Sequence, residues 1–490
     1  MLRTYIVAAF LGLLFSLGFA PNDLWFISVF SLICLHYLIQ EASKKELFYI
    51  GYSFGFGLWS LGISWLYVSI YFYGEVGSII SIFLTLIFIG ILSIYLGATL
   101  LLYHYLRFTS KISVIFSLPI AWVVIEYLRS ILFTGFPWLI SGTMLADTIL
   151  DGWTPIIGAQ GNSFLLLLLS SFLFLFISEI KKSKTTLLSG IFIFLLLLSS
   201  FSLKKIEWTT LDGSLNALII QPNLELEQKW STKGVDQTKS LMEMAVDISE
   251  EGDIIVFPET ALIFSENEIK DWLNYIDHKA EQKEITLLTG IIEREEDFNI
   301  RNRILGLGMA NSHYDKVKLV PFGEFIPFER LTGNLFDILG IRLTNTIPGE
   351  SINTIDAGNI SVAASICYEI AFSELVRKTA SESNLLVTIS NDTWFGSSYG
   401  PSQHLEIAQN RALEHKKELL RSTNSGISAF ISRNGEIKRK QGYFEDKLLK
   451  KEINLYRGKT FYAKHGNFPL FILLSFILFF IIIKKRKEMS

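Results

Sequence analysis

Long apolar runs alternate with polar loops over the first two hundred residues, and the pattern changes abruptly after that. Uncharged runs cover 4–22, 24–40, 47–74, 76–106, 112–125, 152–178, 185–203 and 465–483. A bilayer-spanning helix needs about 20 mainly apolar residues, with a range of roughly 17–25. The fifth run reaches Phe133 if Glu126 and Arg129 are accepted within it. The pattern therefore predicts eight transmembrane helices, seven before a polar region and one after it. Arg3, Gly18 and Ala20 loosely resemble a cleavable leader, but Pro21 disfavours cleavage and a second apolar run follows at once, so the first helix is expected to be retained.

Between 204 and 465 the runs shorten to strand length. Leu215–Ile220, Asp253–Phe257, Thr286–Ile292, Ile304–Leu307, Ile360–Ile366, Leu385–Ile389 and Ile427–Ile431 read as strands, and 235–250, 266–283 and 403–420 as helices of mixed charge. Asn434-Gly435 reads as a hairpin turn. Strands interleaved with helices predict a layered α/β domain, with an α-β-β-α arrangement among the options. The expected organisation is 1–203 as a seven-helix membrane domain, 204–465 as a soluble domain, and 466–490 as a final helix with a basic tail.

Composition agrees with this division. Half of the 490 residues are hydrophobic and 19% are charged, against about 25% in soluble proteins. The segment 204–465 holds 31 of the 44 Lys+Arg and 38 of the 47 Asp+Glu. The net charge of −3 offers no basic face for nucleic acid. Two cysteines, Cys34 in an apolar run and Cys367 in the polar region, rule out a disulfide framework.

Loop charges set the orientation. With the N-terminus inside, the cytoplasmic loops and tail carry Arg3, Lys44, Lys45, Arg107, Lys111, Lys181, Lys182, Lys184, Lys484, Lys485, Arg486 and Lys487, twelve in all, while 21–23, 73–75 and 134–151 carry none. Both termini are thus expected in the cytoplasm, and the soluble domain on the other side. Glu126 and Arg129, one turn apart in the fifth run, either face a cavity or form a local pair.

Three strand ends carry chemistry. Glu259 ends Ile254-Ile255-Val256-Phe257-Pro258, Lys316 precedes Leu319-Val320-Pro321-Phe322-Gly323-Glu324, and Cys367 stands between an apolar strand and the expected helix 370–379. A strand-to-helix turn sets a thiol beside backbone N–H groups that favour a thiolate and a developing oxyanion. Each residue alone has an ordinary structural role available to it. Together they supply nucleophile, base and cation, the requirements of covalent acyl transfer. No His-Glu-x-x-His or Cys-x-x-Cys spacing and no glycine-rich phosphate loop occurs, the seven histidines are scattered with none in a Gly-x-Ser-x-Gly setting, and His404 reads as a packing or hydrogen-bonding residue.

These residues resemble the nitrilase superfamily, and more closely the apolipoprotein N-acyltransferase family. The likeness rests on Phe19-Ala20-Pro21, Trp65-Leu66-Tyr67, Gly135-Phe136-Pro137-Trp138, Gln221-Pro222-Asn223, Lys229-Trp230, Phe257-Pro258-Glu259-Thr260, Leu319 to Glu324, Ser365-Ile366-Cys367-Tyr368-Glu369, Asn391-Asp392-Thr393-Trp394, Arg411-Ala412-Leu413-Glu414 and Arg421-Ser422-Thr423-Asn424. The resemblance implies a nitrilase-like α-β-β-α sandwich in the periplasm, held to the inner membrane by eight helices. It implies a Glu259, Lys316, Cys367 triad, with Trp230, Glu324, Tyr368, Glu369 and Trp394 in support and no cofactor. It implies a phospholipid acyl donor, a diacylglyceryl-modified apolipoprotein acceptor and a monomeric enzyme. Lys318 departs from the family pattern, and if the strand continued it would share a face with Lys316. A membrane-tethered amidase and a catalytically dead transporter or lipid-binding scaffold are the rivals; the seven-helix anchor argues against the first, the intact triad against the second. The apolar stretch Leu331–Asn345 is either ordinary core or a lid that dips into the bilayer.

Overall fold

A computed structural model describes residues 1–74, 77–180, 183–295, 299–327 and 345–489. The apolar residues from Leu331 to Leu343, and the loop lysines Lys181 and Lys182, lie outside them. The chain divides into two compact units: a helical one comprising Met1–Ile206, Ser398–Glu406 and His465–Ser490, and an α/β one comprising Glu207–Ser397 and Ile407–Lys464.

In the helical unit, the apolar runs form helices. Among the described residues five are long and apolar enough to cross a membrane: Ser78–Leu106, Lys111–Thr134, Asp151–Ser178, Lys184–Leu203 and Phe468–Arg486. A sixth crossing is available if Lys44–Gly62 and Trp65–Tyr73, which meet at a 54° bend, act as one span. Leu2–Ser16 and Trp25–Ile39 are 15 residues each, about 22 Å at 1.5 Å per residue, shorter than a hydrocarbon core of about 30 Å. Ser43 caps the third helix through a reciprocal pair with Glu46. Glycine lets the first and third helices touch backbone to backbone: a Cβ on Gly57 would lie 1.8 Å from the Ala9 carbonyl oxygen.

Glu126 and Arg129 are buried here, and both serve the non-helical turn that follows their helix. Glu126 Oε1 accepts from the Ser141 amide (2.8 Å) and hydroxyl (2.7 Å), and Arg129 donates to the carbonyls of Phe136 (2.6 Å), Trp138 (2.6 Å) and Leu139 (3.3 Å). They also line a cavity of about 20 Å³ with Trp59, Tyr95, Trp122 and Ser141. The turn presents Trp138, whose Nε1 donates to Gln403 at 2.7 Å, and the fully buried His404 ring packs 5.5 Å from it.

The α/β unit is built on two sheets. Its strands among the described residues are β1 (Thr210–Gln221), β2 (Ile254–Val256), β3 (Thr286–Arg294), β4 (Ile300–Gly308), β5 (His313–Asp315), β6 (Ile355–Ala357), β7 (Ile360–Ile366), β8 (Leu385–Ser390), β9 (Leu419–Thr423), β10 (Ser428–Ile431), β11 (Ile437–Gln441) and β12 (Lys447–Arg457). One sheet runs β12-β1-β2-β3-β4-β5 and the other β11-β10-β9-β8-β7-β6. The centre of each is parallel, β1-β2-β3 and β7-β8-β9, with antiparallel strands at the margins. Ala217, Ile219, Val256, Ile304 and Tyr314 of the first sheet share one core with Val362, Ala364, Ile366, Val387 and Leu420 of the second. On its other face the first sheet packs Leu218, Ile255 and Leu287 against Met242 and Ile276, from the helices Thr232–Ile248 and Lys270–Gln282.

One local expectation changes. The helix expected to reach residue 420 ends at His415, because Lys416 takes a left-handed φ of 50° and Leu419 and Leu420 enter β9. β5 stops at Asp315, so Lys316 and Lys318 do not lie on a strand, the condition under which they would have shared a face.

Candidate active site

The site lies at the carboxyl ends of β2 and β7 and beyond the end of β5, on the side of the first sheet that faces the second. Side-chain alternation decides this. Ile304 and Tyr314, paired across β4 and β5, enter the core between the sheets. Asn302 and Lys316, two residues along from each, continue on that side.

Glu259 follows β2 after Phe257 and Pro258, and the next residue, Thr260, adopts a φ of 52°. This turn fits because position 290 has no side chain: a Cβ there would stand 2.5 Å from both the Pro258 oxygen and the Thr260 nitrogen. The Glu259 carboxylate is 6% exposed and held from three directions. Oε1 accepts from Asn302 Nδ2 at 2.6 Å and from Lys316 Nζ at 3.3 Å, and Oε2 accepts from the Asn391 amide at 2.8 Å.

Lys316 is 1% exposed and lies between two carboxylates, Glu324 Oε1 at 2.7 Å and Glu259 Oε1 at 3.3 Å. Burial works against its charge, but the Glu324 and Glu259 carboxylates outweigh burial and hold the ammonium well above the usual lysine range. Glu324 is fixed in turn by the Val320 amide on its other oxygen at 2.7 Å. Lys318 is half-buried, with its Nζ 4.8 Å from the centre of the Phe372 ring, and burial lowers its pKa. The two lysines thus occupy different environments, and Lys316 is the one joined to Glu259.

Cys367 leaves β7 with a left-handed φ of 54° and opens the short turn Cys367–Ala371, ahead of the helix Ser373–Ala380. Its thiol packs against the core between the sheets. Burial pushes it well above the usual thiol range, Glu259 and Asp392 add to this, and Lys316 and a Ser390 hydrogen bond oppose it. A thiol so placed would have to give its proton to a base in order to act as a nucleophile.

Glu369 is fully buried and ties the thiol strand to the lysine segment. Its Oε2 accepts from the Ile366 amide (2.8 Å), and its Oε1 from the Val317 amide (2.7 Å), the Lys318 amide (3.0 Å) and the Tyr314 hydroxyl (3.1 Å). Burial raises its carboxyl to about 7, against the pull of these donors. Tyr368 is buried, its ring 5.0 Å from Phe372. Trp230 and Trp394 are exposed, at 51% and 43%. Beneath the Asn391 turn, Asp392 and Arg421 form a fully buried pair at 2.6 Å.

Sequence reasoning missed two residues that touch Glu259. Asn302 carries no motif, and its only signal is its two-residue offset from the inward-facing Ile304. Lys229 stood within a family-like dipeptide in which the role was given to Trp230; its Nζ donates to the Glu259 carbonyl oxygen at 2.9 Å.

The chain matches two family models, the apolipoprotein N-acyltransferase N-terminal domain over residues 11–172 and the carbon-nitrogen hydrolase over residues 219–461. Among curated proteins, the apolipoprotein N-acyltransferase of Photobacterium profundum is 34% identical, over 97% of this chain and 94% of its own length. That of Vibrio vulnificus is 33% identical over 99% and 98%, and that of Wigglesworthia glossinidia brevipalpis 34% identical over 97% and 98%. Similarity of this order, along nearly the full length of these three relatives and of this chain, makes this chain a member of the apolipoprotein N-acyltransferase family.

Proposed function

We propose that this enzyme moves a fatty acyl chain from a membrane phospholipid to the α-amine of a diacylglyceryl-cysteine at the N-terminus of a lipoprotein, through a thioester on Cys367. The observation that carries the proposal is the junction of Glu259 and Lys316 at 3.3 Å, both near enough to the buried Cys367 thiol to act on its ionisation. In the first half, Glu259 takes the thiol proton as Sγ attacks the ester carbonyl, and Lys316 stabilises the tetrahedral oxyanion. The lysophospholipid alcohol leaves with the proton, and the acyl group stays on sulfur. In the second half the acceptor amine attacks the thioester, Glu259 takes its proton, and collapse releases the amide and restores the thiol. Ester, thioester and amide follow one another without a nucleotide, which suits a site outside the cytoplasm. Glu324 and Glu369 act by orienting the lysine and the thiol turn.

Both substrates are lipids confined to a bilayer, which accounts for attaching a nitrilase-like domain to so many apolar helices. In the full layout eight helices span the inner membrane, the two short N-terminal ones included, with both termini cytoplasmic and the catalytic domain periplasmic. The twelve-to-zero loop asymmetry supports this orientation. A water-accepting amidase is disfavoured, because a soluble amide needs no such anchor. The test is a transfer assay with a phospholipid labelled in its acyl chain and a diacylglyceryl-cysteinyl peptide. Label in the peptide as a base-stable amide is the expected result. Label released only as free fatty acid would favour hydrolysis.

A further inference from the structure

A second buried lysine sits behind the base, and the reaction as written does not use it. Lys229 ends the short helix Leu226–Lys229 that follows β1, and its side chain is 3% exposed. Its Nζ donates to the Glu259 carbonyl oxygen at 2.9 Å, the amide of Lys229 being held by the Glu225 carbonyl at 2.8 Å. Burying an ammonium against a neutral carbonyl is unfavourable, and a well-packed apolar residue at such a place commonly leaves a protein equally or more stable. Here burial pulls the Lys229 pKa down to about 8, with Glu259 opposing. Stability alone gives little reason for a lysine.

Geometry gives one. The carboxylate of Glu259 must meet Asn302, Lys316 and the Asn391 amide at once. That requires its main chain to be fixed on a turn where Thr260 is left-handed. On either side the turn is pinned to β3, by Phe257 N to Leu288 O at 2.8 Å and Leu262 N to Gly290 O at 3.0 Å. The Glu259 carbonyl lies between these pins and points to Lys229. We propose that Lys229 is a positioning residue for the base: it clamps the Glu259 main chain so that both carboxylate oxygens reach their donors.

The proposal rests on Glu259 acting as the base, and the test separates the two claims. Single-turnover acylation of the full-length enzyme by labelled phospholipid is measured for wild type, Lys229→Met, Glu259→Gln and the double variant. Lys229→Met is expected to slow acylation about tenfold or more, with KM for phospholipid within about twofold and Tm equal or higher. Added to Glu259→Gln it is expected to slow the residual rate less than about twofold, because a clamp acts only through the group it holds. Acylation in Lys229→Met within about twofold of wild type, or a full additive loss in the Glu259→Gln background, would overturn the proposal. If Lys229→Met does not fold, Lys229→Leu, which likewise has no donor, is put through the same cycle and judged by the same outcomes. Undiminished activity in Glu259→Gln would refute the base assignment and this inference with it. An inactive Glu259→Gln beside a fully active Lys229→Met would refute this inference alone.

Discussion

At the scale of single residues, the site depends on pairing groups that are costly to bury alone. Lys316 keeps its charge in the interior because Glu324 and Glu259 accept from it at 2.7 and 3.3 Å. Lys316→Ala should slow acylation by about a hundredfold or more, the scale for losing an oxyanion donor. Lys318, half-buried over Phe372 instead, should tolerate alanine with a loss of less than about threefold, which is within the worth of a single cation–π contact. Parallel kinetics of the two variants check this, and the reverse ranking would contradict the assignment. The thiol supplies a pH test. Burial and the neighbouring carboxylates hold Cys367 above the usual thiol range, so its thiolate fraction is small at neutral pH and grows as pH rises. Iodoacetamide labelling of Cys367 should be slow at pH 7 and rise by up to about tenfold per pH unit through pH 9. A plateau below pH 8 would instead indicate a standing thiolate. At this scale the sequence was informative where a residue ends an apolar strand, as Glu259 and Cys367 do. It was silent on Asn302 and Lys229, whose importance comes from what lies across the fold. It could not choose between Lys316 and Lys318 by geometry, because on a strand the two would share a face; β5 ends at Asp315, short of both.

At the scale of elements, the apolar parallel strands were legible because they read as short hydrophobic runs: β3, β7 and β8 begin at the residues expected. β11 and β12 were not, since Ile437-Lys438-Arg439-Lys440-Gln441 and the Lys447-Leu448-Leu449-Lys450-Lys451 start of β12 interrupt their few apolar residues with charge. They are marginal strands with one wet face, so hydrophobicity marks them weakly. β9 was hidden differently. Its sequence Leu-Leu-Arg-Ser-Thr is fully buried, and its polar members are satisfied by partners such as Asp392 and Ser428, which no local pattern reveals. The turn between β2 and the rest of its layer offers a sharp test. Gly290→Ala would put a methyl 2.5 Å from the Pro258 and Thr260 backbone atoms, so the turn carrying Glu259 must shift. The expected cost is about 1–3 kcal/mol of stability by overpacking, with a loss of acylation of about tenfold or more from misplacing the base. Thermal unfolding beside single-turnover rates measures both, and an unperturbed rate would show that the turn's position is not critical.

At the scale of the whole molecule, the charge distribution and the apolar runs made the division into a helical and an α/β unit visible, while one feature of it was not. Ser398–Glu406 groups with the helical unit although its sequence neighbours on both sides belong to the other. Nothing in composition distinguishes those nine residues; Gln403 is held there by Trp138 Nε1 and the Gly62 carbonyl, contacts more than two hundred residues away in sequence. The proposed topology is checked with a reporter active only in the periplasm: fused at residue 300 it should work, and at residue 490 it should not. Activity at residue 490 would contradict the eight-span arrangement. The central claim is that catalysis passes through a thioester on Cys367, and the most direct measurement is to isolate that species. The purified enzyme is incubated with acyl-labelled phospholipid and no acceptor, then digested and analysed by mass spectrometry. The account predicts one acyl chain on the peptide containing Cys367, released by neutral hydroxylamine, absent in Cys367→Ala, unchanged in Cys34→Ser, and discharged when the acceptor peptide is added. An acyl group on any other residue, or full turnover by Cys367→Ala, would contradict it.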